Sequence, residues 1–246
     1  MMIKSALLFA GILLVLALLY NGIPVLKTEG KETTIFLRPD FSPLTDNYVE
    51  FRVPAVTEDD KGILAKVTIE VVPGSGRTLM NIDNILFFED TQNSIRLARA
   101  IAENVTGVEL VENDIIYSVR TDASAIEGSS AGAAMTIGTI ALLEGRELNQ
   151  SVAMTGFVRP DGRVGKVSNV LEKAKVSKDN GYTLFLVPPG QEVQEEITKE
   201  EVCRRILFKD VCNTVVKESM IDIQKAANIT VIEVSDIREA VGYIII

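Results

Sequence analysis

Residues 127–135 read Glu127-Gly128-Ser129-Ser130-Ala131-Gly132-Ala133-Ala134-Met135; Ala153-Met154-Thr155-Gly156 and Asn169-Val170-Leu171-Glu172-Lys173 follow. The small residues after Gly128 open an apolar run that reaches Glu144 and stops at Gly145. That pattern predicts an apolar helix that continues from the small-residue run to Glu144 in an α/β chain, with Ser130 at its N-terminal end. A helix N-terminus carries unpaired N–H groups and positive potential. Both favour an alkoxide and a developing oxyanion. The same residues also read as a small-residue helix packed closely against a sheet, with no chemistry attached.

A serine hydroxyl is a poor nucleophile until a neighbour takes its proton. The sequence contains no histidine. Ser-His-Asp and Cys-His arrangements are thereby excluded, and a lysine amine is the remaining base. With a pKa of ~10.4, about one lysine in two thousand is neutral at pH 7. Burial disfavours the ammonium, and a pKa of ~8 leaves about a tenth neutral. The base is therefore expected at the edge of an apolar helix face. Ser168 to Asn180 reads as a helix, with Ser168 as N-cap and Gly181 past its end. At ~100° per residue, Val170, Ala174 and Ser177 share one direction, Lys173 borders it, and Lys175 points away. Judged on the helix alone, a solvated Lys173 is the commoner reading.

Several ordered motifs carry a family resemblance. Glu127-Gly128-Ser129-Ser130-Ala131-Gly132 resembles the Asp-Gly-Pro-Ser-Ala-Gly nucleophile motif of the Lon protease proteolytic domain. Met154-Thr155-Gly156 resembles the family's Met-Thr-Gly segment, Asp161-Gly162-Arg163-Val164 its Gly-Arg-Val turn, and Leu171-Glu172-Lys173 its catalytic-lysine helix. Glu70 to Gly76 matches upstream, so the resemblance runs from about Phe51 to the C-terminus with one divergent stretch. Glu127 stands where the family has Asp, and Ser129 where it has Pro, which leaves two adjacent serines. Register against Ala131-Gly132 and the spacing to Lys173 select Ser130.

The resemblance implies an α/β (α+β) fold, a mixed sheet with packed helices. It implies a serine endopeptidase that hydrolyses unfolded or extended polypeptide. Ser130 would be the nucleophile and Lys173 the base. Thr155 would hold the lysine amine. Glu127, Gly128 and Ala131 would support the nucleophile loop, and backbone N–H groups near Ser130 would form the oxyanion hole. Ring-forming relatives imply a homo-oligomer.

The remaining sequence sets the context. Acidic residues outnumber basic ones, 34 to 25, for a net charge of −9, and no basic stripe occurs, which argues against nucleic-acid partners. Residues 1–26 are expected to be an N-terminal membrane anchor. Ser5–Tyr20 is uncharged, and as a helix it spans ~24 Å against a bilayer core of ~30 Å. An uncleaved anchor is favoured over a signal peptide because no small-x-small cleavage pattern follows it. Residues 27–50 read as a tether with a strand over Thr33–Arg38, and 51–246 as the protease domain. No G-x-x-x-x-G-K-[ST] occurs, so neither bound ATP nor the ATPase module of full-length Lon proteases is expected in this chain. No cofactor or metal is expected either, since Cys203 and Cys212 alone do not complete a zinc site.

Within the domain, strands are expected over Leu64–Val72, Asp114–Val119, Thr183–Val187 and Asn228–Val234, and helices over Thr91–Thr106 and Ser235–Tyr243. Val152–Val158 and Val164–Val167 are expected to pair around Arg159-Pro160-Asp161-Gly162. Residues 191–220 read as a divergent helical insertion with an acidic, solvated first part. A continuous helix there holds Cys203 and Cys212 about 13.5 Å apart and predicts no disulfide. Two other functions remain open on the sequence: a non-catalytic, membrane-tethered binding module, and a proteolytic subunit served by a separate ATPase. An extracytoplasmic catalytic domain is the expected location.

Overall fold

The computed structural model describes residues 47–57, 59–81, 86–87, 89–121, 125–126, 128–206 and 208–246. Ser5–Tyr20, Thr33–Arg38 and Glu127 lie outside the described residues. Among the described residues, no helix is long and apolar enough to cross a membrane.

In chain order the first half contains β1 (Tyr48–Val56), β2 (Gly62–Pro73), β3 (Thr78–Asn81), β4 (Leu86–Phe87), α1 (Glu89–Thr106), β5 (Asn113–Arg120), β6 (Ala125–Ile126) and α2 (Gly132–Glu144). The second half contains β7 (Val152–Met154), β8 (Phe157–Val158), β9 (Val164–Gly165), α3 (Val170–Asp179), β10 (Leu184–Val187), β11 (Val193–Ile206), β12 (Lys209–Asp222), α4 (Ile223–Ala227), β13 (Thr230–Glu233) and α5 (Ile237–Ile244). A mixed sheet, ordered β1-β2-β5-β3, joins antiparallel β1, β2 and β5 to a parallel β3. A second sheet, ordered β13-β10-β7, is parallel throughout. The expected α/β architecture is present, with a mixed and a parallel sheet as its two main layers.

Local pattern explains the layers. Ala65, Val67 and Ile69 alternate along β2 and are fully buried; they meet Ile95 and Ala98 of α1 and Ala134 and Met135 of α2. A strand of period two thus packs on helices of period 3.6. Helix α2 has no polar face over most of its length, because Gly132 to Ala141 are all buried. Its other side belongs to a second cluster, with Met154, Leu186, Val234 and Ile237. A helix that is apolar all round must be enclosed on all sides, and α2 lies between these two clusters. Gly138 lets it approach β1: a Cβ there would stand 2.4 Å from Phe51 Cε1. A third cluster joins Val170, Leu171 and Ala174 of α3 to Phe185 and Val187 of β10 and to Ile223 and Ala227 of α4.

Three expectations need correction. Val152–Val158 is not one strand. β7 pairs in parallel with β10, and only β8 pairs with β9, because the chain turns out at Thr155-Gly156. The N-cap position of α3 is Asn169, not Ser168; Asn169 is left-handed, with φ 55°, and its side chain makes no cap. The expected helical insertion is a long antiparallel hairpin of β11 and β12. Its β-branched residues, among them Ile197, Thr198, Val202, Thr214, Val215 and Val216, favour strands. They outweigh the helical spacing of Val202, Ile206, Leu207 and Val211. The hairpin register sets Cys203 opposite Cys212 with Cα atoms 3.9 Å apart, and the two form a disulfide. The expectation of two free thiols is overturned with it.

Candidate active site

Ser130 lies in the turn that leads into α2. The Gly132 N–H donates to the Ser129 carbonyl at 2.9 Å and closes that turn. Two further bonds bracket it. The Gly156 N–H donates to the Ser130 carbonyl at 2.9 Å, and the Ala133 N–H donates to the Gly156 carbonyl at 3.0 Å. One residue of the β7–β8 connection therefore clamps both sides of the turn. Gly156 has φ +152°, and a Cβ there would stand 2.4 Å from Val164 Cγ1. Thr155, fully buried, donates from Oγ1 to the same Ser130 carbonyl at 3.4 Å, and its N–H donates to the Leu186 carbonyl. Upstream, Gly128 is left-handed at φ +97°, and its carbonyl accepts from Thr91 Oγ1 at 3.2 Å.

Lys173 sits in the second turn of α3 and is 4% exposed. Val170, Ala174 and Ser177 are buried beside it, while Lys175 is exposed. Its Nζ donates to the Ser168 carbonyl at 3.0 Å. Burial pushes the amine down from 10.5 to about 8. The Thr155 hydroxyl is turned to Ser130 rather than to this amine. Among the described residues no hydrogen bond joins Ser130 Oγ to Lys173 Nζ.

The helix that carries Lys173 is held from the hairpin. Gln194 Oε1 accepts from the Leu171 N–H at 3.2 Å, which supplies the cap that Asn169 does not. The Gln191 amide bonds both main-chain groups of Val167, at 2.9 and 2.6 Å. The roles of Thr91, Gly156, Gln191 and Gln194 were not read from the sequence. Gly156 had a signal, a glycine directly after the Met154-Thr155 pair. The two glutamines had none, because the segment from residue 191 was taken for a helix. Glu201 lies close to Cys203 and Cys212, but both sulfurs are in the disulfide and offer no thiolate to a metal.

The domain has a serine in the turn before an enclosed small-residue helix and a buried lysine on a second helix, in a two-sheet α/β fold. The profile of the Lon protease (S16) C-terminal proteolytic domain matches residues 61–223, and the chain belongs to that family. The Lon protease of Phenylobacterium zucineum is 32% identical over 132 residues, 52% of this chain and 17% of that protein. The archaeal Lon protease of Archaeoglobus fulgidus is 26% identical over 148 residues, 59% of this chain and 24% of that protein. The chain thus spans less than a quarter of the length of these curated relatives.

Proposed function

We propose that this chain is a serine endopeptidase acting on unfolded or extended polypeptide, with Ser130 as nucleophile and Lys173 as base. The observation that carries the reading is the burial of Lys173. A buried ammonium is costly. Burial lowers its pKa, and among the described residues no carboxylate offsets that cost. Such a lysine is neutral far more often than an exposed one, which is what a general base near neutral pH requires.

In this reading Ser130 Oγ attacks the scissile carbonyl carbon while Lys173 takes the hydroxyl proton. The N–H groups of Gly132 and Ala133 are already committed to carbonyls. Those of Ser129, Ser130 and Ala131 have no acceptor among the described residues and are the donors for the oxyanion. The lysine returns its proton to the departing amine. It then takes one from the water that attacks the acyl-serine, which releases the acid and restores the hydroxyl. Thr155 and Gly156 act through the Ser130 carbonyl and fix the turn, so they are positioning residues. Cleavage of unfolded substrate runs without ATP. Residues 1–26 anchor the domain, and the Cys203–Cys212 disulfide supports an extracytoplasmic position for it.

The test is the rate on an unfolded protein without ATP, in matched serine variants. Ser130→Ala abolishes cleavage, and Ser129→Ala retains most of it. Loss only in Ser129→Ala reverses the assignment, and full activity in Ser130→Ala removes it.

A further inference from the structure

β11 and β12 form an arm. Each strand has 14 residues, which at ~3.4 Å apiece gives an arm of roughly 45 Å. Its base is packed: Gln194 and Ile221 are half-buried, and Ile221 joins the cluster around α3. Beyond the base, Ile197 is 57%, Val216 53% and Met220 66% exposed, all three on one face of the hairpin. A two-stranded hairpin alone is marginal in water. Each of its strands also has an outer edge that no further strand covers among the described residues, a template for another strand.

The register says which groups face outward. Cys203 and Cys212, with Cα atoms 3.9 Å apart, are a non-hydrogen-bonded pair. Their alternation along the ladder turns the N–H and C=O of the odd-numbered β11 residues to the outer edge.

We propose that this edge of β11 pairs, antiparallel, with β11 of a second copy of the chain across a two-fold axis at Glu200. The register sets Glu195 opposite Arg205 and Glu196 opposite Arg204 of the second copy, and the symmetry repeats both. Ile197 falls opposite Cys203 of the second copy, against its disulfide. Each of these residue pairs has matched parity, as a continued ladder requires. Sliding the strands by two residues sets Arg204 opposite Gln194 or Thr198 and loses every opposite-charge pair. The β12 edge has no equivalent. Its lysines, 209 and 217, are at odd positions and its acids, 210, 218 and 222, at even ones, so no in-register self-pairing brings opposite charges together. The like pair Glu200–Glu200 on the axis is the one repulsive element of the β11 contact.

A charge swap on the full chain in mild detergent tests this by native mass. E195R/E196R and R204E/R205E each place like charges opposite like. Each is expected to give particles of half the wild-type mass. An equimolar mixture of the two is complementary again and is expected to restore the wild-type mass. Misfolding of either variant does not produce that restoration. Wild-type mass in both single variants, or half mass that mixing fails to restore, overturns the proposal. Wild-type mass with lost cleavage of unfolded protein and intact cleavage of short peptides also overturns it, and assigns the edge to substrate.

Discussion

Lys173 is the residue on which chemistry and stability meet. Its amine is pushed down to about 8 in the folded chain, whereas an unfolded lysine titrates near 10.5. The folded state therefore binds fewer protons than the unfolded one between those values, and stability rises with pH across that window. Below about 8 the cost is constant, at about 3 kcal/mol on the scale of 1.36 kcal/mol per pH unit. Lys173→Met is expected to abolish cleavage and to raise stability at pH 7 by an amount of that order, measured by denaturant unfolding. An unchanged or lowered stability would mean that Lys173 is paired or solvated in the folded chain. Lys173→Arg is expected to be inactive, because guanidinium stays protonated. Gly156→Ala forces a methyl to within 2.4 Å of Val164 and displaces the clamp on Ser130. Its kcat is expected to fall at least tenfold with KM little changed, and wild-type kinetics would show that the clamp does not position Ser130. At this scale the sequence was legible where side-chain periodicity spoke. Val170, Ala174 and Ser177 put Lys173 beside a buried face, as the structure has it. The Ser168 carbonyl that accepts its hydrogen bond was not legible, since main-chain acceptors leave no mark in residue identity.

Helix α2 and the hairpin mark the two extremes among elements. The end of α2 at Glu144 followed from Gly145, which is left-handed; its start at Gly132 was not fixed by the run of small residues before it. Nothing competes with a helix in that run. Residues 191–220 carry two competing patterns, apolar residues at helical spacing and a high content of β-branched residues, and the second prevails. The cysteine distance followed the wrong element, and the disulfide is its consequence. Thiol titration of the denatured, unreduced monomer is expected to find none free; two would restore the helical reading. Gln194 is one contact by which this hairpin reaches α3. Gln194→Ala leaves the Leu171 N–H without its acceptor and is expected to cost about 1 kcal/mol. Denaturant unfolding checks this, and a change below a few tenths of a kcal/mol would mean that water replaces the cap.

In the domain as a whole, two clusters enclose α2, and a third carries α3 against the parallel sheet. Ser130 and Lys173 thus stand on separate packed units; the β7–β8 connection bonds to the turn of the first, and the base of the hairpin to the helix of the second. The α/β class was legible because alternating strands and amphipathic helices dominate the chain. The division into a mixed and a parallel sheet was not, because β7 and β8 read as one strand until Gly156 separates them. The central claim, a neutral lysine activating Ser130, is tested most directly by the pH dependence of kcat/KM on a short peptide without ATP, from pH 6 to 10. The account predicts a rise through about 8 to a plateau, absent in Ser130→Ala. A flat profile over that range, or cleavage that persists in Ser130→Ala, would contradict it.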